Sequence, residues 1–512
     1  MSLKRVLVVG GGSAGWITAA YMDAALNSKD HKPVEVSLIE SEIVGRIGVG
    51  EATVPTIRHV LQTIGISESD FMKATDATFK QSIRFDNWLD GRGETYYHPF
   101  ERRQTARIDR TGVNWMASDR SRPFAELVST QPHFCEAGLS PRMPKSPDYA
   151  SPLPYAYHMD AEKFADHLCD IAKARGVKHY VDDVTDIKRA ENGNIESVST
   201  KGGLTLEADL FVDCTGFASI LIGKTLGAEF DDFSQHLLCD SAVAMRVPYE
   251  TYYPGQIKPY TTSTAVSNGW IWDIGLMNRR GTGYVYSSAF LDKDKAEAEL
   301  RAFEGDHTKD LDARHLRFRV GRRPQQWVKN CVSIGLSSGF IEPLESTGIY
   351  LSEYAVVTLC EHFPYGSDMQ PLADRFNQIM TGRYDEILDF INMHYCMTRR
   401  TDTEFWREVQ KDERITDNLK AKFEFWKLKP PSHSDFEDQL RLFSHQSYEY
   451  ILYGMDFQRD RFGGGQRPVA KHLPGVTRIV EAGKTRLPRH EDWLEHELGT
   501  KLGRYRTAEL AE

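Results

Sequence analysis

A glycine-rich segment near the N-terminus has the pattern of a phosphate-binding turn. It reads Gly10-Gly-Gly-Ser-Ala-Gly15 and fits G-x-G-x-x-G. Such glycines let the backbone turn tightly and approach a pyrophosphate, whose charge the N-terminus of the following helix stabilises. Glu40 comes 25 residues after Gly15, where a dinucleotide fold places the acid that binds an unphosphorylated ribose. The predicted cofactor contacts in this region are Gly10, Gly12, Ser13, Ala14, Gly15 and Glu40.

A lysine in an aromatic stretch could act on a reacting molecule. Lys80 follows Phe79 and precedes Ile83, Phe85 and Trp88. A lysine shielded from water can have a lowered pKa, which makes a neutral amine available for chemistry. The alternative is a surface lysine at the end of a helix, because the segment from Glu68 to Lys80 has a helical pattern.

An acidic, glycine-containing loop offers a second set of reactive groups. Glu345 stands before Ser346-Thr-Gly348 and a helix that is predicted to start near Ile349. An acid there could remove a proton, or it could simply cap the helix, since the helix dipole favours a negative charge in the first turn. Thr347 and Gly348 lie where unpaired backbone N–H groups could hold an anion. Glu342 is interpreted as structural.

The elements that must position these groups follow an α/β pattern. The runs Val6–Val9 and Val34–Ile39 are typical of buried parallel strands, and Trp16–Met22 has a helical pattern between them. Leu210–Gly216 is predicted as a further strand. Asp213 and Gly216, at its end, are predicted to form a second turn near the cofactor. Further strands are predicted over 177–181, 197–205, 240–290 and 327–334, long loops over 90–150, and helices over most of the last 160 residues, with a loosely packed tail from Gly463.

The composition restricts the class of protein. The chain has 512 residues, 40% of them hydrophobic and 27% charged, with a net charge of −10. This excludes disordered and fibrous classes, and the acidic balance argues against nucleic acid or an anionic membrane as a partner. Its seven cysteines are scattered, without a Cys-x-x-Cys pair or zinc spacing, and no run is long enough to cross a bilayer. We therefore expect a cytoplasmic protein without a metal site.

Four motifs in order along the chain resemble the flavin-dependent halogenases of the tryptophan-halogenase type. They are Gly10–Trp16, Thr78–Lys80, Trp270-x-Trp272-x-Ile274 and Phe340–Tyr350. Supporting segments are Gly48–Pro55, Tyr97–Phe100, Asp213–Gly216, His394–Tyr395 and Arg400–Trp406. The resemblance covers most of the chain. It departs from the family at Gly275, where a proline usually follows the tryptophan motif, so the turn there is expected to be freer.

The resemblance implies a two-component reaction. A separate reductase supplies FADH2, which reacts with O2 and chloride or bromide to give hypohalous acid, and this acid travels through an internal tunnel to an electron-rich arene. The implied fold is an FAD-binding dinucleotide fold like that of flavin monooxygenases, interleaved with a mainly helical substrate module. The modules would cover about 1–90, 155–220 and 320–380 for FAD, and 91–154, 221–319 and 381–512 for the substrate, in one unit that could form a homodimer.

The same resemblance assigns roles to individual residues. Lys80 would activate hypohalous acid, and Glu345 would orient the electrophile or remove the ring proton. Thr347 and Gly348 would hold the halide, and Trp270 with Trp272 would keep the flavin from oxidising the substrate directly, although strand spacing equally fits a core role. The remaining cofactor contacts would be Glu51, Val184, Asp213, Gly216, Leu336 and Ile349.

The substrate pocket matches the family only in part. His98, Pro99 and Phe100 correspond to the aromatic sandwich that binds indole in tryptophan-acting members. Those members also hold the amine and carboxylate with a Tyr-Tyr pair, a Glu and a Phe-Trp pair. The region Ser432–Tyr450 lacks the tyrosine pair and has Phe443-Ser444 in place of Phe-Trp. An indole-like arene without the amino-acid part, or a larger substrate in a more open site, is therefore expected.

Two other functions remain open from the sequence. A flavin monooxygenase that hydroxylates an aromatic would share the glycine motif and the Asp213–Gly216 turn, but it gives no role to Lys80, Glu345 or the two tryptophans. A non-catalytic flavoprotein that senses redox state would leave Lys80 dispensable.

Overall fold

The computed structural model of the chain describes residues 4–43, 50–103, 109, 111–366, 368–436, 441–457 and 474–502. Gly48 and Val49 of one family-like segment, and the glycine run 463–465 of the predicted loose tail, lie outside these residues. Among the described residues, no helix has the length and apolar character needed to span a membrane.

The strands in chain order are β1 (Arg5–Val9), β2 (Glu35–Glu40), β3 (Gly50–Ala52), β4 (Thr78–Lys80), β5 (Ser82–Asp86), β6 (Thr95–Pro99), β7 (Ala156–Asp160), β8 (Lys178–Val181), β9 (Val184–Arg189), β10 (Ile195–Thr200), β11 (Thr205–Glu207), β12 (Leu210–Asp213), β13 (Asp231–Asp232), β14 (Ser241–Pro248), β15 (Thr261–Val266), β16 (Gly269–Gly275), β17 (Arg279–Tyr286), β18 (Ala313–Arg317), β19 (Gly321–Arg322), β20 (Trp327–Val328), β21 (Cys331–Ser333) and β22 (Gly339–Phe340).

The helices are α1 (Ser13–Leu26), α2 (Ile57–Ile64), α3 (Glu68–Ala74), α4 (Thr111–Met116), α5 (Phe124–Val128), α6 (Gln131–Glu136), α7 (Ala161–Arg175), α8 (Lys293–Glu304), α9 (Thr347–Glu361), α10 (Gln370–Cys396), α11 (Glu404–Glu408), α12 (Asp417–Trp426), α13 (His445–Gly454), α14 (Pro474–Arg486) and α15 (His490–Leu498). Together with the strands they make an α/β fold.

The chain forms two compact units, each built from three separated stretches. Unit 1 comprises Met1–Ala77, Met159–Phe233 and Phe318–Asp385, and unit 2 comprises Thr78–His158, Ser234–Arg317 and Glu386–Glu512. Residues 78–90, which the sequence assigns to the FAD module, belong to unit 2, because β4 pairs with β7 and β5 pairs with β15 there. The functional module ranges stay a prediction.

Unit 1 is organised around a six-stranded sheet in the order β20-β21-β12-β1-β2-β8. β1 lies in its middle and pairs in parallel with both neighbours, so that Val6 stands opposite Val36 on one side and Leu210 on the other. The side chains of β1 from Val6 onward are buried, as expected for a parallel sheet covered on both faces. α1 packs against α7 and α9, and this arrangement fixes the turn at the end of β1.

The predicted strand over 327–334 is wrong in one respect. The segment forms a hairpin in which β20 pairs antiparallel with β21. Lys329 adopts a positive φ of 56° between them, which reverses the chain. Only β21 joins the parallel part of the sheet, next to β12.

Unit 2 contains a seven-stranded sheet in the order β18-β14-β17-β16-β15-β5-β6. Its pairs are antiparallel except for β15 with β5. A buried apolar cluster on this sheet includes Val243, Ile271 and Tyr284. The stretch 90–150 contains β6 and the short helices α4, α5 and α6 in place of the predicted long loops.

The predicted helix over 68–80 is also wrong beyond its first half. Ser67 caps α3 by accepting a hydrogen bond from the N–H of Asp70, but the helix ends at Ala74. Asp76 then has a φ of 50°, which breaks the helical path. The following residues form β4 and pair with β7, with Lys80 opposite Ala156.

Candidate active site

The glycine turn of unit 1 is shaped by contacts that exclude side chains. Gly10 has a φ of 114°, and a Cβ atom there would overlap the carbonyl of Cys214. A Cβ on Gly15 would overlap the carbonyl of Gly10. No heavy atom of the described residues lies within 4 Å of a Cβ built on Gly12. The turn is therefore closed on the protein side and open at Gly12, as a pyrophosphate cradle requires.

The start of α1 belongs to the same turn. Ser13 and Ala14 form its first residues, and Gly12 caps it without a side-chain hydrogen bond among the described residues. The Ser13 hydroxyl donates to the carbonyl of Ala161 at 3.1 Å, which leaves the backbone N–H groups of this turn as its donors for an anion.

Glu40 ends β2 beside the glycine turn. A Cβ on Gly11 would overlap its carboxylate, so the turn and the acid meet as the sequence predicts. His179 on β8 contacts Glu40 through Nε2 at 2.9 Å from Oε1, and Cys169 on α7 contributes a thiol to the same group, whose three ligand-type atoms lie within 4.8 Å of one another. No sequence pattern predicts this grouping, because the three residues come from different elements. The expected absence of a metal stays a prediction.

The second turn is held by a fully buried carboxylate. Asp213 Oδ1 accepts hydrogen bonds from the N–H and hydroxyl of Thr215, at 3.0 and 2.6 Å. Its Oδ2 accepts from the N–H groups of Leu221 and Ile222, at 2.9 and 2.8 Å. Gly216 follows with a φ of 64°. Asp213 therefore uses its oxygens to shape the turn, and any contribution to cofactor binding would come through that shape.

Val184 lies at the start of β9, close to the end of β2. Two residues before it, the N–H of Asp182 donates to the carbonyl of Glu40 at 2.9 Å. The structure thus brings Val184 into the neighbourhood of Glu40 within unit 1.

The acidic loop of unit 1 forms a tight turn before α9. Pro343–Glu345 is a short 3₁₀ turn, Ser346 has a φ of 63°, and α9 begins at Thr347. Thr347 is 0% exposed, and its hydroxyl has no hydrogen-bond partner among the described residues. No described heavy atom lies within 4 Å of a Cβ built on Gly348. A buried hydroxyl and an open space at a helix N-terminus fit the predicted halide site.

Three further predicted residues lie in or near this loop. Glu345 is buried, Leu336 lies in the turn Gly335–Ser337, and Ile349 is in the first turn of α9. Gly335 has a φ of 78°, and a Cβ built on it would lie 2.6 Å from the Cβ of Ala14. This approach places the turn Gly335–Ser337 next to the start of α1, and the cofactor roles of these residues stay a prediction.

Two acids of unit 1 have strongly raised pKa values. Burial raises the pKa of Glu51 to about 7 and that of Glu353 to about 8. Glu353 lies on α9, and its Oε2 accepts a hydrogen bond from the Thr56 hydroxyl at 3.1 Å. Glu353 was not among the predicted residues, although a lone acid within the apolar run Tyr350–Val357 indicates a buried carboxyl group.

In unit 2, Lys80 is 0% exposed. It lies on β4, and its Nζ is 5.0 Å from the centroid of the Phe100 ring. The alternative of a surface lysine at a helix end is therefore wrong. His158, opposite Thr78 on β7, has its pKa held well below the usual range by burial and by the charge of Lys80. The Lys80 side chain is therefore shielded from water and lies against an aromatic face.

The predicted substrate residues lie at the end of β6. His98 is buried, and its ring lies 5.5 Å from that of Phe390, 6.2 Å from Phe443 and 6.1 Å from Tyr450. Phe390 and Phe443 stack at 3.8 Å. Pro99 pairs with Ser82, and the N–H of Phe100 donates to the carbonyl of Gln81 at 3.2 Å. Unit 2 therefore brings Phe100 to Lys80 and places His98 in an aromatic group.

The two tryptophans occupy β16 of unit 2. Trp270 is buried, and its ring lies 6.3 Å from that of Trp272. The Trp272 indole covers Gly283 so closely that a Cβ there would overlap it. Gly275 is not a freer turn: it is buried, pairs with Arg280, and a Cβ on it would lie 3.0 Å from Ile257 Cγ2.

Comparisons with known proteins agree with this arrangement. Residues 5–466 match the family model described as tryptophan halogenase. The chain is 38% identical over 473 residues to the tryptophan 6-halogenase SttH of Streptomyces toxytricini, covering 88% of this chain and 89% of that protein. It is 36% identical over 511 residues to the tryptophan 7-halogenase RebH of Lentzea aerocolonigenes, covering 94% of each. The chain belongs to the tryptophan halogenase family.

A solved structure supports the same conclusion for the fold. The tryptophan halogenase of Shewanella frigidimarina superposes with a TM-score of 0.88 at 33% identity, covering 99% of this chain and 98% of that one. The protein is an enzyme of the flavin-dependent halogenase class, and the resemblance drawn from its motifs is confirmed. The predicted fold class, an FAD-binding fold with an added helix-containing module, is confirmed with it.

Proposed function

We propose that this halogenase uses FADH2, O2 and chloride or bromide to halogenate an electron-rich aromatic such as indole, which lacks an amino-acid moiety. The observation that carries the proposal is Lys80, a fully buried lysine held against the Phe100 ring. Burying a lysine removes its amine from water at a cost in free energy, and an ammonium beside an arene-binding ring can polarise an electrophile.

Unit 1 supplies groups that fit FAD and a halide. The glycine turn, the start of α1 and Glu40 would hold the nucleotide part, with Glu51, Val184, Gly216, Leu336 and Ile349 as further contacts. Thr347 and Gly348 would hold the halide, because a buried hydroxyl and the N–H groups at the start of α9 suit an anion. When bound, FADH2 would supply two electrons to O2, so that one oxygen atom oxidises the halide to hypohalous acid and the other leaves as water.

Lys80 and Glu345 are proposed to act on the electrophile and the ring. The Lys80 ammonium donates a hydrogen bond to the oxygen of hypohalous acid, so that a ring carbon forms the carbon–halogen bond as the oxygen–halogen bond breaks. The released hydroxide takes a proton from the Lys80 ammonium and leaves as water, and Lys80 then regains a proton from the solvent, to which Glu345 later releases the ring proton. The cationic ring then loses the proton from the halogenated carbon to the Glu345 carboxylate, which restores aromaticity.

The aromatic group around His98 argues for an arene without polar handles. Phe443 packs face to face on Phe390 and Ser444 stands where tryptophan-acting relatives have a tryptophan, so this region supports ring contacts more than recognition of an amine and a carboxylate. The relatives SttH and RebH are named tryptophan halogenases, and free tryptophan is therefore the necessary comparison substrate. A separate flavin reductase is the proposed partner, and a homodimer the proposed assembly.

One assay tests the proposal. The enzyme is supplied with FADH2 by a flavin reductase, with indole or tryptophan, and with chloride or bromide, and the products are analysed by mass. Halide-dependent indole products that disappear in Lys80→Ala are expected. Hydroxylated products formed without halide would identify a monooxygenase, and preferred turnover of tryptophan would refute the substrate assignment. No product from any tested arene would favour a non-catalytic flavoprotein.

A further inference from the structure

We propose that His490 is a positioning residue for Lys80: a neutral imidazole, fixed in one tautomer, that holds the backbone of β4 from the C-terminal helix α15. The inference rests on the proposed role of Lys80. It extends that role to a part of the chain, about 410 residues away in sequence, to which no motif points.

The hydrogen bonds of His490 define its tautomer. The N–H of Phe79 donates to His490 Nε2 at 3.1 Å, and His490 Nδ1 lies 3.0 Å from the carbonyl oxygen of Ile257. A backbone N–H can only donate and a carbonyl can only accept, so Nε2 carries the lone pair and Nδ1 carries the proton. The ring is 1% exposed, and burial lowers its pKa to about 4, which agrees with a neutral ring.

His490 accepts a hydrogen bond on the edge of β4 that pairs with no strand in the sheet β3-β7-β4. The strand has three residues and pairs with β7 through Phe79 opposite Tyr157. The Phe79 N–H points away from that pairing, to the imidazole. On the next residue but one, the N–H of Gln81 donates to the carbonyl of Pro259 at 2.8 Å. The segment 257–259 is therefore connected to β4 and the residue after it by two routes. One is the direct hydrogen bond between Gln81 and Pro259, and the other runs from Phe79 through His490 to Ile257.

Helix α15 is itself anchored on both sides of His490. The N–H of His490 donates to the carbonyl of Gly138 at 2.8 Å. The neighbouring Glu491 accepts a hydrogen bond from the N–H of Ile257 at 3.1 Å. His490 and Glu491 thus grip both the carbonyl and the N–H of one residue, Ile257. The ring of Trp493 packs edge-on against Phe79 at 4.7 Å, which adds an apolar contact to the same strand.

This anchoring acts on Lys80 through the backbone. Successive side chains of a strand point to opposite faces, so the side chain of Phe79 lies toward α15 while that of Lys80 points to the other face, where Phe100 is. A shift of the Phe79 amide therefore moves the Lys80 ammonium. Displacements of about 1 Å at a reacting group can lower turnover about 100-fold.

The test compares three variants by kinetics and product coupling. His490→Phe keeps an aromatic ring but removes both hydrogen bonds, and His490→Gln restores an acceptor near the Nε2 position. The control is His236→Phe, which removes another unit 2 histidine with a single ring contact to a backbone carbonyl, that of Arg414 at 3.0 Å. Indole and bromide are the substrates, with FADH2 supplied by a flavin reductase. Monochlorodimedone captures hypohalous acid that escapes halogenation of the arene.

We expect His490→Phe to lower kcat about 10- to 100-fold, with the KM for indole changed less than about 3-fold. Capture by monochlorodimedone should rise as indole halogenation falls, because hypohalous acid still forms but is used poorly. His490→Gln should regain at least about a third of the lost activity on a logarithmic scale, and His236→Phe should match the wild type. If His490 had only a structural role, halogenation of indole and capture of hypohalous acid would fall together.

Two results would overturn the inference while the proposed function stands: wild-type kcat and coupling in His490→Phe, or equal losses of capture and halogenation in His490→Phe and His490→Gln. If the wild type itself gives neither halogenated indole nor captured hypohalous acid, the proposed function fails instead. Should His490→Phe not fold, nitrogen NMR of histidine-labelled wild type decides, because the inference requires the Nδ1–H tautomer at pH 7.

Discussion

Units 1 and 2 build their candidate sites by opposite means. In unit 1 the site depends on side chains that are absent: Gly10 and Gly15 let backbone segments pack closely, and no described atom lies within 4 Å of a Cβ built on Gly12 or Gly348. In unit 2 it depends on large side chains that are buried, among them Lys80 and His98. Substitutions that add atoms should therefore impair the candidate site of unit 1, and substitutions that remove side-chain atoms should impair that of unit 2.

The chemistry of the ligands explains this difference. Phosphate and halide are anions that backbone N–H groups can bind, provided that the backbone can approach closely. An arene and a neutral oxidant offer no such charge, so the proposed site in unit 2 would hold them by aromatic faces and a positioned donor.

The largest expected effect comes from removing the Lys80 donor while keeping its bulk. Lys80→Met should lower kcat for halogenation about 1,000-fold, within the range found for positioned proton donors, and leave FAD affinity within about 2-fold. Product mass and flavin fluorescence measure the two. Lys422→Met, which removes another buried lysine of unit 2 paired with Asp389, serves as the control and should retain activity. A comparable loss in both variants would argue against a specific role.

Glu345→Gln should lower kcat about 100-fold and leave FAD affinity nearly unchanged. The amide keeps the size of the carboxylate but cannot take the ring proton, so single-turnover product formation should slow accordingly. A large loss of FAD binding would show instead that Glu345 supports the cofactor, and its proposed role in removing the ring proton would be wrong.

Gly12→Ala adds one methyl group in the open part of the glycine turn. FAD affinity should fall about tenfold, because the methyl group stands where the pyrophosphate would approach. The melting temperature of the protein without FAD should stay within about 3 °C, since the added atom meets no described protein atom. Gly382→Ala on α10, which is also unobstructed, is the control and should bind FAD normally. Unchanged FAD affinity in Gly12→Ala would contradict the cradle.

The smallest effect is a change in the pH dependence of stability. The pKa of Glu353 is about 8 in the folded protein, above its unfolded value near 4.5. Between these pH values the folded state keeps a proton that the unfolded state releases, so the free energy of unfolding falls as pH rises, by up to about 1.4 kcal/mol per pH unit. Glu353→Gln should flatten that part of the curve in urea denaturation of the protein without FAD.

His490 in unit 2 should change the free energy of unfolding with pH in the opposite direction. His490, with a folded pKa of about 4, stabilises the protein above its unfolded pKa near 6.5, and this stability is lost as pH falls toward 4. His490→Gln should weaken that acid-side loss and leave the alkaline side unchanged. If Glu353→Gln and His490→Gln changed the free energy of unfolding in the same pH range, the two units would not differ in the pH dependence of their stability.

The sequence predicted best what depends on neighbours along the chain. The turn after β1, its helix and the acid at the end of β2 follow from a local pattern of strand, glycines and helix, and Glu40 does meet the turn. The turn that ends at Thr347, the predicted halide site, follows from the same local logic. Lys80 was singled out by its motif, but its strand was missed because a three-residue β4 has no periodicity and exists only by pairing with β7.

Residues that act through long-range contacts gave no such signal. His179 and His490 look like ordinary polar residues in sequence, and only the tertiary structure brings them to Glu40 and to the Phe79 backbone. The hairpin of β20 and β21 depends on the positive φ of Lys329, which a lysine adopts only when the surrounding packing enforces it. Such features are fixed by tertiary structure.

The order of strands in unit 1 has a consequence for how the protein is made. β1 and β2 leave the ribosome first, yet the neighbours β12 and β21 follow only after residue 210 and residue 331. At about 5–20 residues per second, the ribosome needs roughly 9 to 34 s to reach β12 after β2. During that time the edge of β1 that later pairs with β12 has no partner strand. Growth at low temperature with abundant chaperones should therefore raise the yield of active enzyme more than stabilising mutations in the finished fold.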